Sequence, residues 1–153
     1  QVDYYSAAKF GLEYTDKDGS KKPPVIIHRA IFGSFDRFFA FLIEHTAGDF
    51  PVWISPVQVE IINISDKHKK YAKAVYEELL KNGVRAEFKD DNLTLGKRIR
   101  ETEMQKIPYI LIMGDKEMKV KSIAVRQRGK GDLGAMKLVK FIKKIKEEIE
   151  TKK

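Results

Sequence analysis

The sequence of 153 residues contains no cysteine and no long uninterrupted run of apolar side chains. Without cysteine the chain cannot form a disulfide, a thiolate zinc site or a cysteine nucleophile. A membrane-spanning helix needs about 20 mostly apolar residues, so we expect no contact with a membrane. The first residues also lack the basic, apolar and small-residue order of a signal peptide. Because a chain without cysteine fits a reducing compartment, we expect a cytoplasmic protein.

Several familiar catalytic arrangements are missing as well. The sequence shows no paired carboxylates at an active-site spacing, no Ser-His-Asp set and no glycine-rich phosphate loop. Three histidines are present, but they lie in unrelated stretches. These absences count against a self-contained enzyme among these 153 residues.

Positive charge is plentiful and unevenly placed. The formal net charge is +8. Residues 1–50 hold six Lys or Arg against seven Asp or Glu, whereas residues 51–153 hold 24 against 15. A basic domain suits a polyanionic partner such as RNA, although a lysine-rich surface also serves solubility. Charge by itself leaves both interpretations open.

The first fifty residues combine strand, turn and helix signals. The segment 11–29 is predicted to be a β-hairpin, because Asp16 to Ser20 form a turn signal before a β-branched strand at Val25 to Ile27. A helix is predicted from Ser34 to Gly48. Its apolar residues repeat at three- and four-residue steps, namely Phe35, Phe38, Phe39, Leu42 and Ile43.

From residue 57 onward, strands and helices alternate. This order predicts an α/β domain at 57–153 with a mixed, mostly parallel sheet of about five strands flanked by about three helices. Residues 51–56 contain two prolines and form an ordered junction. The predicted strands are 57–64, 84–88, 109–113 and 122–126, and the predicted helices are 67–82, 94–106 and 137–149.

Several stretches of the sequence form an ordered set of motifs. Residues 24–38, PVIIHRAIFGSFDRF, resemble motif 3 of the class II aminoacyl-tRNA synthetases in the form of the threonyl members, and residues 50–59, FPVWISPVQV, resemble the junction after that motif. The pieces NGVR at 82–85, LGKRIRE at 95–101 and GDKE at 114–117 follow in the family's order. The resemblance implies that residues 1–50 end a catalytic domain and that 57–153 form an anticodon-binding domain.

The resemblance also assigns roles in the first fifty residues. It implies that Arg37 binds ATP phosphate and that Gln1 and Ser34 line the amino-acid pocket. It implies that His28 is a zinc ligand in the intact enzyme only, because the cysteine ligand of the family is absent here. The residues alone leave other interpretations open: an ion pair for Arg37 with Asp36 or Glu44, a helix N-cap for Ser34, and a satisfied core position for His28.

In the C-terminal domain the matching anticodon contacts are Asn92, Arg100, Glu117 and Arg126. Arginine, asparagine and glutamate side chains can read the exposed edges of unstacked bases. The family's Asn-Glu-Lys becomes Asn-Leu-Thr here, so Thr94 replaces a cation. The alternative for Glu117 and Arg126 is a pair of hairpin charges that meet across strands.

The resemblance therefore implies a threonine–tRNA ligase, a cytoplasmic homodimer of protein biosynthesis that uses threonine, ATP, zinc and its cognate tRNA. Motifs 1 and 2 of the class are absent from these residues, so we expect the chain alone to be inactive and to bind neither cofactor. One alternative is a non-catalytic RNA-binding module of the same fold. Another is an adaptor for acidic proteins that uses Lys140, Lys143 and Lys144.

Overall fold

The computed structural model describes residues 1–91 and 93–152, and the chain divides into two compact units. The first unit is Gln1–His45, and the second begins at Thr46. Residues 51–56, the predicted junction, lie inside the second unit.

The first unit is built from short strands and one longer helix. Strands β1 and β4 pair antiparallel, with Val2 opposite Ile27, and β2 pairs antiparallel with β3. The elements are β1 (Val2–Asp3), α1 (Ser6–Lys9), β2 (Tyr14–Thr15), β3 (Lys21–Lys22), β4 (Ile26–Ile27) and α2 (Phe35–Thr46).

The predicted hairpin at 11–29 is only partly correct. The turn is confirmed, since the Asp16 N–H donates to the Ser20 carbonyl at 2.9 Å. The β-branched strand β4, however, pairs with β1 instead of continuing the hairpin. Pro23 and Pro24 explain the difference, because proline has no N–H to donate to a strand ladder.

The predicted helix is present as α2, but every side chain on it is at least partly exposed. Within this fully described unit, Ala7 is the single buried residue. Phe32 and Phe35 are 70% and 80% exposed. Apolar surface of this kind normally marks a contact with other protein.

The second unit contains a five-stranded sheet with helices on both faces. Its elements are β5 (Val59–Asn63), a short 3₁₀ helix (Asp66–His68), α3 (Lys69–Lys81), β6 (Ala86–Phe88), α4 (Leu95–Met104), β7 (Tyr109–Met113), α5 (Asp115–Val120), β8 (Ile123–Gln127), β9 (Gly131–Met136) and α6 (Leu138–Glu150). The strand order is β6-β5-β7-β8-β9. β5 is parallel to β6 and β7, whereas β8 is antiparallel to both of its neighbours.

The predicted mixed sheet of about five strands is confirmed, but it is not mostly parallel, since two of its ladders are parallel and two are antiparallel. Two single elements also differ from the prediction. A helix, α5, replaces the predicted loop before β8. It is short, and it begins with a capping contact from Glu117 to the Gly114 N–H, which a hydrophobic pattern does not reveal. The fifth strand, β9, contains two glycines with positive φ, Gly131 and Gly134, so its sequence has low strand propensity.

The two faces of this sheet differ in chemistry, because successive side chains of a strand point to opposite faces. One face is apolar and is covered by α3 and α6. Its members form one contiguous buried core, which includes Val59, Ile61, Leu79, Tyr109, Leu111, Val125, Phe141 and Ile145. The other face is covered by α4, whose buried side chains are Arg98 and Thr102. The core therefore lies on one side of the sheet and a polar layer on the other.

Tyr109 joins the apolar core to a charged group on α6. Its ring is fully buried and contacts Phe141 edge to face at 5.2 Å. Its hydroxyl lies 2.7 and 2.9 Å from the two carboxylate oxygens of Glu148. Burial, together with this hydrogen bond, raises the pKa of Tyr109 above its ordinary value.

We expect Tyr109→Phe to lower the free energy of unfolding by about 2 kcal/mol, because the hydrogen bond from the tyrosine hydroxyl to the Glu148 carboxylate is lost. Urea denaturation of both proteins measures the difference. Tyr76→Phe on α3 is the control, because it removes the same atom from a half-buried ring. Equal effects of the two substitutions would show that the contact with Glu148 stabilises nothing.

Candidate RNA-binding site

A row of residues crosses the sheet on the face that α4 covers. Glu60 of β5 lies opposite Ile110 of β7, which lies opposite Arg126 of β8, which lies opposite Asp132 of β9. Directly opposed residues of neighbouring strands share a face. Arg126 is therefore the cation of a row that also holds two carboxylates.

Arg126 is paired loosely. Its Nη2 lies 3.5 Å from Glu103 Oε1 of α4, and the two side chains are 33% and 57% exposed. Its Nε is buried, and within the described residues this atom has no hydrogen-bond partner. A buried donor left unpaired costs about 1–3 kcal/mol, so the guanidinium has an unmet capacity to donate.

A cavity of about 280 Å³ lies between α4 and the end of β8. Its apolar part comes from Ile107 and Ile110, and its polar part from the Glu103–Arg126 pair and their neighbours. The remaining lining residues are Gln127, Arg128, Gly129 and Gly131. Apolar surface beside hydrogen-bonding edges is what a planar base requires.

Polar contacts fix the position of α4 beneath this cavity. Thr94 caps the helix, since its Oγ1 accepts the Lys97 N–H at 3.4 Å. Arg98, which is 6% exposed, donates to the Asn63 carbonyl at 2.8 Å, to Asn63 Oδ1 at 3.2 Å and to the Lys89 carbonyl. Thr102 Oγ1 lies 2.5 Å from Glu60 Oε1.

Arg100 is exposed on α4, one turn before Glu103. Side chains three apart on a helix are neighbours, so Arg100 and the Glu103–Arg126 pair belong to one surface. Asn92, the other predicted contact from this region, lies outside the described residues. Thr94, where the family carries a cation, serves as the helix cap described above.

Glu117 stands apart from this surface. It lies on α5, beyond the Met113 end of β7, and its Oε2 accepts the Gly114 N–H at 3.0 Å. Arg126 lies towards the opposite end of β8, where it faces Ile110. The alternative in which Glu117 and Arg126 are hairpin charges paired across strands is wrong, because Glu117 is helical and Arg126 pairs with Glu103.

A buried histidine holds α5 in place. His68 is 1% exposed, its Nδ1 faces Ser65 Oγ at 3.0 Å, and its Nε2 faces Asp115 Oδ1 at 3.1 Å. Asp115 also pairs with Lys67 at 2.9 Å. Hydrogen bonds from Lys67 and then His68 lower the pKa of the Asp115 carboxyl below its ordinary 3.8.

Two arginines fasten the segment before β5 to the sheet. Arg85 donates to the carbonyls of Ser55 and Trp53 at 2.8 and 2.9 Å. Arg128 donates to the Phe50 carbonyl at 2.7 Å and to the Lys106 carbonyl. The predicted ordered junction thus has a physical cause, which is the capture of its carbonyl groups.

In the first unit, Gln1 and His28 are joined through their backbones. The His28 N–H donates to the Gln1 carbonyl at 2.9 Å, and the Gln1 amino group donates back at 3.1 Å. The His28 side chain is 54% exposed and its Nε2 lies 3.1 Å from Asp3 Oδ2. The alternative of a core histidine is therefore wrong. The pKa of Asp3 is lowered, first by hydrogen bonds from Ser6 and then by His28.

Zinc does not fit the residues present. Among residues 1–91 and 93–152, no three His, Cys, Asp or Glu side chains are placed to hold a metal ion. His28 has Asp3 as its neighbour, and cysteine is absent from the sequence. The role of His28 as a zinc ligand stays a prediction for a longer protein.

Ser34 and Arg37 lie in the first turn of α2. Ser34 Oγ accepts the Arg37 N–H at 3.4 Å, which is the geometry of a helix N-cap. Arg37 is exposed, and in the described part of the chain it forms no ion pair with Asp36 or Glu44. A cation at an exposed helix N-terminus can bind phosphate, and this role remains a prediction.

Comparison with known proteins identifies the class. Residues 58–148 match the family model described as "Anticodon binding domain", so the chain belongs to that family. Over all 153 residues it is 50% identical to threonine–tRNA ligase of Carboxydothermus hydrogenoformans, and over 152 residues 51% identical to that of Clostridium kluyveri. The resemblance found in the motifs is thereby confirmed. The chain spans 24% of the length of each relative.

Solved structures agree with this assignment. The RNA binding domain of threonyl-tRNA synthetase from Cryptosporidium parvum superposes with a TM-score of 0.81 and 35% identity, over 97% of this chain and 38% of that one. Prolyl-tRNA synthetase from the same organism gives 0.69 at 22% identity, over 95% and 31%. The second match supports the fold alone.

Within residues 1–91 and 93–152, none of the helices combines the length and apolar character needed to cross a membrane.

Sequence reasoning missed three residues of this site. Glu103 lies between motif positions and Arg98 lies within the motif at 95–101, but the packing of α4 is what reveals the partners of both. Arg85 belongs to the motif at 82–85, but the sequence does not predict that its side chain binds the carbonyl groups of the junction. An arginine at a core-facing position of the predicted helix was the available signal for Arg98.

We expect Arg98→Met to lower the free energy of unfolding by about 2–4 kcal/mol, because buried carbonyl groups of Asn63 and Lys89 lose their donor. Lys97→Met is the matched control: it removes an exposed cation from the next position and should change stability by less than about 0.5 kcal/mol. Chemical denaturation measures both. Similar losses from the two variants would contradict the anchoring role of Arg98.

The lowered pKa of Asp115 predicts an acid-sensitive contact. A carboxyl whose pKa is lower in the folded state stabilises that state above its unfolded pKa, and this contribution is lost as the pH falls below about 3.8. We expect Asp115→Asn to be less stable than the parent at pH 6 and to lose less stability between pH 5 and pH 3. Thermal unfolding across this range measures the slope, and identical slopes would contradict the prediction.

Proposed function

We propose that this chain binds the anticodon loop of threonine tRNA and does so as part of a threonine–tRNA ligase. The observation that carries the proposal is Arg126, a partly exposed guanidinium with an unpaired buried Nε beside a cavity of about 280 Å³. The family match over residues 58–148 and the 50% identity to threonine–tRNA ligases support it.

The surface on α4 and β8 suits an unstacked RNA base. A guanidinium donates through two parallel N–H groups to a base edge or to phosphate. Arg100, exposed one turn from Glu103, adds a cation on the same side of the helix. Ile107 and Ile110 supply an apolar surface against which a base can pack.

Glu117 would contact a different part of the loop. Its Oε2 is engaged by the Gly114 N–H, and a carboxylate has further lone pairs with which it accepts base amino or imino protons. Because His68 and Asp115 hold α5, this carboxylate is presented from a fixed position. Asn92 belongs to the same proposal by its match to the family motif.

The longer protein would activate threonine with ATP and transfer it to tRNA as a homodimer. In that setting Arg37 would bind ATP phosphate, Gln1 and Ser34 would line the threonine pocket, and zinc would use His28 together with ligands outside this sequence. The exposed aromatic side chains of the first unit are consistent with contacts to further protein. By itself the chain supplies recognition of RNA.

Binding of a threonine-anticodon stem-loop tests the proposal. We expect Arg126→Gln to weaken binding about tenfold or more, because a bidentate contact to a base is worth about 1–3 kcal/mol. Lys143→Gln is the charge-matched control, since Lys143 lies on α6, over the opposite face of the sheet. It should change affinity by less than about twofold.

A stem-loop with a scrambled anticodon is the second control. Equal affinity of the parent protein for the two loops would contradict anticodon recognition. A large loss in Lys143→Gln with none in Arg126→Gln would instead favour the adaptor that uses the lysines of α6. Failure of the longer protein to attach threonine to tRNA would favour the non-catalytic RNA-binding module.

A further inference from the structure

The Glu103–Arg126 pair has the geometry of a surface ion pair, which contributes little to stability. Both side chains are partly exposed, and the N···O distance of 3.5 Å is long for a charge-assisted hydrogen bond. α4 is held on its other side, by Arg98 and Thr102. The pair therefore restrains the arginine more than it restrains the helix.

The arginine side chain is only half used by this contact. One N–H of the fork, at Nη2, faces Glu103, while its neighbour Nε is buried without a partner in the described part of the chain. The second arginine of the cavity, Arg128, differs, because it donates to the carbonyls of Phe50 and Lys106 and lies 3.7 Å from Asp49. Arg126 is thus the guanidinium that has donors to offer.

We propose that Glu103 is an internal competitor of RNA for Arg126. In the free chain its carboxylate occupies Nη2 at the cavity. A ligand with two adjacent acceptor atoms displaces it by accepting from Nη2 and from Nε, which is buried in the free chain and is uncovered when Glu103 leaves. The N7–O6 edge of guanine and a pair of phosphate oxygens both have this chemistry. The proposal rests on the proposed RNA-binding function.

The displaced carboxylate has a new partner within reach. Arg100 lies three positions before Glu103, and residues at this spacing are neighbours on a helix. Asp132 also faces Arg126 across β8 and β9, and its Oδ1 accepts the Gly134 N–H at 2.8 Å. Among the described residues, Glu103 is the carboxylate that forms an ion pair with Arg126, so it is the acidic side chain that exchanges partners when RNA binds.

Competition has a consequence for specificity. When a ligand with a single acceptor binds, Arg126 loses its contact with Glu103 and its Nε stays unpaired, so the net gain in binding free energy is small. A ligand that offers two acceptors satisfies both donors. Glu103 accordingly lowers affinity for every ligand that must displace it, and a ligand with two acceptors offsets this loss by pairing with both nitrogens.

The test compares Glu103→Gln with Glu101→Gln in the full 153-residue chain. Both substitutions remove one negative charge from a side chain of α4 that water reaches, but Glu101 lies 3.9 Å from Lys97 and not at the cavity. We expect Glu103→Gln to tighten binding of the cognate stem-loop about threefold, as an exposed ion pair implies. Glu101→Gln should tighten it clearly less.

A second comparison ties the effect to Arg126. In an Arg126→Gln background, Glu103→Gln should no longer tighten binding, because the competing contact is already gone. Equal gains from Glu103→Gln and Glu101→Gln, a gain that persists without Arg126, or a loss of affinity in Glu103→Gln would each overturn the proposal. Glu103→Ala repeats the test if the glutamine variant does not fold.

Two further experiments are needed. One distinguishes a guanine edge from phosphate as the source of the two acceptors, and the other tests the proposed RNA-binding function by itself. A stem-loop carrying 7-deazaguanine lacks the N7 acceptor. If Arg126 binds a guanine edge, the threefold gain in affinity of Glu103→Gln should be smaller with this stem-loop. If Arg126 binds phosphate, that gain should be unchanged, and the affinity of Arg126→Gln should depend less steeply on salt. The parent protein's preference for the cognate over the scrambled loop tests the proposed function separately, since it involves no Glu103 variant.

Discussion

The buried contact of Arg98 with the ends of two strands is the interaction on which the recognition surface depends. Its guanidinium satisfies carbonyl groups at the ends of β5 and β6, and it thereby fixes the start of α4. Arg100 and Glu103 follow on the same helix, so their positions are set by a residue that they do not contact. A displaced α4 would open the cavity and separate Glu103 from Arg126.

The two faces of the sheet have different roles: packing on one face stabilises the domain, and the other face carries the recognition surface. The face under α3 and α6 is apolar and closely packed, and packing of this kind tolerates little change in volume. The face under α4 relies on hydrogen bonds between Glu60, Thr102, Asn63 and Arg98. Directional contacts of this kind hold a helix at one orientation, and a surface that reads bases needs that orientation more than it needs additional buried area.

The sequence was a good guide to the elements and a poorer guide to their partners. Periodicity located α3, α4 and α6, and the β-α-β-α-β order implied the parallel strands. It did not reveal α5, because six residues are too few for a helical period, or β9, whose glycines lower its strand propensity. Arg126 and Arg100 could be named from the motifs. Glu103 could not be named from the motifs, since its importance comes from a contact between α4 and β8 whose two residues are 23 positions apart in the chain.

The cavity and the junction share a residue, and this links recognition to the segment that precedes the sheet. Arg128 lines the cavity beside Arg126 and also holds the Phe50 carbonyl. Its guanidinium additionally lies 3.7 Å from Asp49. A ligand that filled the cavity would contact a side chain already bonded to residues 49 and 50. Arg85 holds the other end of the same segment through the carbonyls of Trp53 and Ser55. A shift of Arg128 would therefore move the segment at residues 49 and 50, while Arg85 keeps residues 53 and 55 in place.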